Sequence, residues 1–269
     1  LMPPQYVKPY VKRGKNDAAD AEAICEAVTR PTMRFVGAKS PDQQATMLLH
    51  RVRKILTRQR TQISNALRAH MAEFGITAAI GRGGLERLIA VIADQDDARL
   101  PDEARACLGV LCSQLEMVKE QILDNDRRIL ADARKTEAGR RLMKIPGIGP
   151  LLASAIVACV PDPAIFDGGR SLSAWIGLTP RQNSSGGKER LGSITKAGNT
   201  YLRELLVVGA MAVVRRAKQG SAKWPWVTQL LERKKPKVAA VALANKNARI
   251  IWAMLATGEA YREPELAAA

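Results

Sequence analysis

A mainly α-helical chain is predicted, on three observations. The 269 residues are 46% apolar but only 4% aromatic, so the core must be aliphatic and Ala-rich, a composition that favours helices. Apolar residues between 42 and 138 recur at spacings of three and four. Ile145-Pro146-Gly147-Ile148-Gly149-Pro150 cannot continue a helix, yet it leads into an apolar run at helical spacing, Leu151 to Val160. The length suffices for a sizeable core and more than one domain.

Residues 1–41 open with Gln5 to Val11, read as a short strand or an extended lead-in. Lys15-Asn16-Asp17-Ala18-Ala19-Asp20 then begins a helix. Asp17 and Asp20 share a face one turn apart. Two carboxylates so placed suit a divalent metal, with Mg²⁺ the usual choice for phosphoryl chemistry. Spacing alone favours a capping arrangement, with Asp17 as N-cap and Asp20 as the acid three residues on.

Residues 42–138 read as a long, coiled-coil-like helical hairpin. One stripe runs Leu48, Val52, Ile55, Gln59, Gln62, Ala66 and Met71. A cleaner one runs Leu108, Leu111, Leu115, Val118, Ile122, Asn125 and Ile129. Gln59 and Asn125 are polar positions that can set register. The turn region, 75–101, contains Gly81-Arg82-Gly83-Gly84 and Asp94-Gln95-Asp96-Asp97 as breaks. The arms either pack on each other or dimerise with another chain.

Residues 139–258 form the third segment and 259–269 a tail. In the turn at 145–150 the two glycines permit positive φ and close backbone approach. A turn leading into a helix N-terminus leaves N–H groups unpaired, and these suit a phosphate oxygen. The pattern is that of a helix-hairpin-helix, which grips nucleic-acid backbone, here through Gly147, Ile148 and Gly149; the alternative is a tight corner with no ligand. Further on, Ser184 and Ser185 precede Gly186-Gly187 on a flexible loop with Arg181, Lys188 and Arg190 close in sequence. A serine hydroxyl in a basic pocket attacks phosphorus if something takes its proton. His50 and His70 are distant in sequence, so no local Ser/His pair exists. Helices follow at Asn199–Lys218, after Trp224-Pro225-Trp226, and at Val238–Thr257, with Gly220-Ser221 as a break.

The net charge of +16 and pI near 10.1 point to a polyanionic partner, by default nucleic acid. The bases are segregated. Residues 43–72 hold Arg51, Arg53, Lys54, Arg58, Arg60 and Arg68 and no acid; Arg170 to Arg203 holds six bases, including Lys196, against Glu189 alone. Such runs suggest phosphate-tracking surfaces, the alternative being a soluble basic face. The four cysteines show no paired spacing, and with only two histidines no zinc site is credible, so they read as reduced thiols of a cytoplasmic protein. The longest apolar run, Leu205 to Val214, is about half of what a membrane span needs.

Three features occur in order: Gly-Lys-Asn-Asp-Ala-Ala-Asp-Ala at 14–21, Ile-Pro-Gly-Ile-Gly-Pro at 145–150, and Gly-Leu-Thr-Pro, Ser-Ser-Gly-Gly, Thr-Lys-Ala-Gly-Asn and Leu-Arg at 177–203. Together they make the chain resemble the insertion-sequence transposases with an acidic DEDD tetrad, the "one-ten" family of bridge-RNA-guided recombinases. The resemblance implies a remnant of a RuvC-like α/β domain at 1–41, a helical arm at 42–138 that dimerises, and at 139–258 a helical transposase domain with a helix-hairpin-helix turn and at most a small β-hairpin. By position Asp17 and Asp20 match the last two acids of the Mg²⁺-binding tetrad. Ser185 matches the nucleophile that joins to DNA, with Ser184 second. The metal site of one subunit meets the serine of another, in a dimer or tetramer near the nucleoid. A structured RNA pairs with donor and target DNA, and Lys188, Arg190 and Lys196 neutralise phosphate. The first Asp and the Glu of the tetrad have no counterpart, so the chain reads as a fragment expected to hold Mg²⁺ weakly and to cleave poorly.

Two other classes remain at this stage. A helix-hairpin-helix DNA glycosylase would need a pocket Asp, for which Asp162 or Asp167 could be nominated. A non-catalytic remnant would only grip nucleic acid.

Overall fold

The computed structural model describes residues 1–12, 16–33, 35–188, 190–220 and 223–262. Gly14 and Lys15 of the first motif, Glu189, Ser221 and residues 263–269 of the predicted tail lie outside them.

The chain is helical almost throughout. Gln5 to Val11 is not a strand: helix α1, Pro4–Val7, runs into a 3₁₀ turn at Lys8–Tyr10. Pro4 and Pro9 each start a turn, where a missing N–H is harmless. Helix α2, Asp17–Val28, is capped by Asn16, whose Oδ1 accepts from the Ala19 amide at 2.7 Å. The cap predicted for Asp17 is therefore displaced by one residue. Leu1 and Val36 exchange both backbone hydrogen bonds at 2.7 Å, closing this N-terminal unit.

The arm is an antiparallel pair, α3 (Pro41–Glu73) and α5 (Asp102–Lys135), with α4 (Arg82–Ala93) packed across its tip. Ser40 and Gln43 form a reciprocal capping box at the start of α3. The predicted α5 stripe faces inward, from Leu108 to Ile129, with Asn125 buried on the seam. The predicted α3 stripe does so only at its end, where Met71 is buried with Ile63 and Leu67 against α5; Leu48 and Ile55 are more than half exposed, and buried His50 meets α7 and α9. The Gly81-Arg82-Gly83-Gly84 break is also corrected: it is the first turn of α4. Gly84 is needed there because a Cβ would collide with the Ala79 carbonyl. At the tip, the buried Arg105 guanidinium gathers the carbonyls of Val91, Ile92, Asp94, Asp97 and Leu100, tying the end of α4 to the start of α5.

The third segment surrounds α7 (Pro150–Cys159), which is buried on nearly every side as its unbroken apolar sequence demands. Around it lie α6 (Glu137–Leu142), α8 (Gly169–Ile176), the antiparallel strands β1 (Pro180–Gln182) and β2 (Leu191–Ile194), α9 (Thr200–Lys218), α10 (Pro225–Arg233) and α11 (Pro236–Thr257). The strands pair Pro180 with Ile194 and Gln182 with Leu191, with an irregularity between. No helix among the described residues is long and apolar enough to cross a membrane.

Candidate functional site

Ser184 and Ser185 stand at the end of the β1–β2 hairpin rather than on an irregular flexible loop. The Lys188 amide donates to the Ser185 carbonyl at 3.1 Å across Gly186 and Gly187, whose φ values of +56° and +75° give a two-residue turn of the primed kind. Both serines are exposed, as are Arg181, Lys188 and Arg190. Their hydroxyls differ. Ser184 Oγ accepts from the Arg190 amide at 3.2 Å, whereas the Ser185 hydroxyl has no partner among the described residues.

The hairpin rises from a rigid base. Gly177 (φ +80°) ends α8, Lys196 (φ +57°) turns the chain back, and Gly198 (φ +71°) brings it against the Trp175 carbonyl. Asn199 caps α9 through the Leu202 amide at 3.0 Å. Arg203 Nη1 donates to the carbonyls of Ile176 and Ala197, both at 2.8 Å, so one guanidinium holds both feet of the hairpin. The Gly-Leu-Thr-Pro, Thr-Lys-Ala-Gly-Asn and Leu-Arg motifs thus build a pedestal, and the serines sit on it.

The turn at 145–150 divides its two glycines. Ile145 accepts from the Ile148 amide at 3.0 Å around Pro146 and Gly147, the latter at φ +86°. A Cβ on Gly147 would lie 2.9 Å from the Gly209 carbonyl oxygen of α9, so this glycine serves packing rather than ligand approach. Ile148 is buried. The Pro146 carbonyl is held by the buried Asn247 at 2.9 Å. Gly149 is different: it is exposed, at an ordinary φ of −94°, and its Cβ position is empty.

Asp17 and Asp20 are exposed on the first turn of α2, which packs only against α1 and its 3₁₀ turn. The hairpin and the acids are therefore not brought together within one chain. Asp17 and Asp20 could supply two oxygens to a Mg²⁺ whose other ligands are waters and phosphate, while no cluster of three or more His, Cys, Asp or Glu suited to a metal occurs among the described residues. Arg51 and Arg58 are exposed on α3, while Lys54 reaches Glu204 of α9 at 3.3 Å and lies over the Tyr201 ring.

One cluster was invisible in the sequence. Ser154 Oγ donates to Asp132 Oδ2 at 2.6 Å and lies 3.0 Å from His50 Nε2; His50 Nδ1 is 3.0 Å from the Tyr201 hydroxyl. Because Ser154 gives its proton to Asp132, His50 donates from Nε2 and accepts from Tyr201 at Nδ1, a tautomer assigned from the network. The order carboxylate–serine–histidine is wrong for a nucleophilic relay, and both Ser154 and His50 are sealed from solvent. The cluster joins α3 and α5 of the arm to α7 and α9. Burial pushes the His50 pKa down to about 4, and the Tyr201 hydroxyl up to about 12. Of the aspartates a glycosylase would need, Asp162 caps the short turn after α7 and is exposed, as is Asp167.

Comparison with known proteins bears on all of this. Residues 139–225 match the model described as the transposase IS116/IS110/IS902 family, and residues 1–76 match an IS110 DEDD transposase model. A Sinorhizobium fredii protein carrying a transposase name is 48% identical over 98% of this chain and 68% of its own length. The transposase for insertion sequence element IS1111A of Coxiella burnetii is 42% identical, over 97% of this chain and 72% of its own. That for element IS1328 of Yersinia enterocolitica is 40% identical, over 97% and 78%.

Proposed function

Since this chain belongs to the IS116/IS110/IS902 family of insertion-sequence transposases, we propose that it cuts and rejoins DNA through a covalent phosphoserine formed at Ser185. The observation that carries this reading is the exposed Ser185 hydroxyl, without a partner among the described residues, at a braced hairpin tip among Arg181, Lys188 and Arg190.

The hydroxyl oxygen attacks phosphorus, the Ser–O–P bond forms, and the bond from phosphorus to the 3′-oxygen breaks. The serine proton ends on the departing 3′-hydroxyl. A 3′-hydroxyl from the exchanged strand then attacks the phosphoserine and regenerates the serine, without net hydrolysis. The hairpin cations and Lys196 neutralise the charge that develops on the phosphoryl oxygens. A divalent metal, which DEDD transposases use in general, would supply Lewis-acid stabilisation, with Asp17 and Asp20 giving two of its oxygen ligands. The separation of α2 from the hairpin favours acids and serine from different subunits of a homo-oligomer. Arg51, Lys54 and Arg58 track nucleic-acid backbone, the exposed amide side of Gly149 holds phosphate, and a structured guide RNA directs the complex.

The test is trapping on a nicked DNA substrate. A protein–DNA adduct is expected, lost in Ser185→Ala and retained in Ser184→Ala, with DNA binding unchanged in both. An adduct that survives both substitutions overturns the phosphoserine reading; base release in its place would favour a glycosylase.

A further inference from the structure

Behind the turn at 145–150 lies a cavity of about 660 Å³, walled by the turn, by α9 and by the residues that lead into α10. Three cations ring it: Lys144 from the turn, Arg216 from the last turn of α9, and Lys223. All three are exposed, none forms an ion pair or side-chain hydrogen bond with the described residues, and no acidic side chain among the described residues lines the cavity. Its wall also carries the half-buried side chain of Trp224.

Gly149 adds an independent observation. Neither φ nor packing requires glycine there, since φ is ordinary and a Cβ would meet nothing within 4 Å. What glycine leaves is open access to a backbone N–H that donates to no acceptor among the described residues.

We propose that this cavity takes one unpaired nucleotide of a single strand, its phosphate held by the Gly149 amide, Lys144, Arg216 and Lys223 and its base laid against Trp224. Its volume exceeds what a phosphate alone would fill, and base stacking on an aromatic ring tolerates any sequence. DNA and RNA strands share this chemistry. The proposal rests on reading the turn as a phosphate-binding surface and adds the base.

The test is equilibrium binding of short oligothymidylate, oligouridylate and a DNA duplex to the whole chain, with salt titration. The expected result is preference for single strands over duplex. Lys144→Gln, Arg216→Gln and Lys223→Gln should each lower the salt slope for single strands by about 0.7. Trp224→Phe keeps the ring, while Trp224→Leu should weaken single-strand binding at least about fivefold and spare duplex. Gly149→Val, with an unchanged melting temperature, should weaken both. The oligothymidylate and oligouridylate arms tell which strand the cavity prefers. If Trp224→Leu and the three glutamine variants bind single strands like wild type while Gly149→Val loses binding, the nucleotide cavity is refuted and the backbone-gripping turn stands. If Gly149→Val binds everything normally, the reading of the turn itself falls, and the cavity with it.

Discussion

His50 is held neutral by what surrounds it. Its two ring nitrogens are occupied by Tyr201 and Ser154; Asp132 pulls its pKa up, but burial and Arg53 outweigh it and leave about 4. A proton added at Nδ1 would face the Tyr201 hydroxyl, which must donate there. The folded value is depressed below the ordinary 6.5, so its contribution to stability is complete above about pH 6.5 and is lost as pH falls towards 4. The melting temperature should therefore drop over that window by the equivalent of about 3 kcal/mol, and His50→Gln should flatten the dependence while lowering stability at pH 7. A pH profile unchanged by His50→Gln would show that other groups dominate acid unfolding. Gly198 presents a second residue-scale case. At φ +71° and pressed on the Trp175 carbonyl, it leaves no space for a methyl group, so Gly198→Ala should cost about 2 kcal/mol or more by thermal unfolding. Gly149→Ala, with open space and ordinary φ, should cost almost nothing.

The serine hairpin shows how an element of seven strand residues is kept in place without a sheet behind it. A two-stranded ribbon is marginal in water. Here Arg203 ties both feet to the end of α8 and the start of α9, and Asn245 holds the Leu178 carbonyl at 3.1 Å. Arg203→Ala should cost about 2 kcal/mol, and should slow adduct formation at Ser185 roughly tenfold with DNA binding unchanged, because the nucleophile loses its aim and not its charge field. Equal rates would mean that the strands hold themselves. The sequence announced much of this. Helices α7, α9, α10 and α11 follow apolar periodicity and Pro, Asn and Gly boundary signals, α8 went unread, and the hairpin serines are neighbours in the chain. The misses have a common cause: local pattern does not report what stands opposite. Gly81 to Gly84 looked like a break, although Gly84 is there to clear the Ala79 carbonyl. His50 and Ser154 are 104 residues apart, so no spacing could pair them. Gly147 and Gly149 read alike in sequence; only the position of Gly209 separates their roles.

At the scale of the whole molecule, α3 carries two faces. The inward one packs Ile63, Leu67 and Met71 on α5 and turns polar at His50, where the arm joins α7 and α9. The outward one is Leu48, Val52 and Ile55, spaced by four and three residues, with Leu48 57% and Ile55 55% exposed. These three open the stripe that looked like a heptad seam, and nothing among the described residues of one chain covers them. A second copy is the occupant that fits the proposed homo-oligomer. Two such helices side by side would bury the stripe, and exposed Arg51 and Arg58 beside it would remain at the rim. Leu48→Ser with Ile55→Ser should weaken self-association roughly ten-thousandfold by light scattering or sedimentation, at about 1.5 kcal/mol for each of the four side chains that two copies bury together. The monomer's own melting temperature should hardly move, because neither side chain contributes to its core. Val110→Ser on α5, at 68% exposure and off the stripe, should leave association as it is. Because the acids of α2 and the serine of the hairpin lie apart in one chain, loss of association should carry adduct formation down with it while single chains still bind DNA. An oligomer that persists through the double substitution would remove this face of α3 as the place where copies meet.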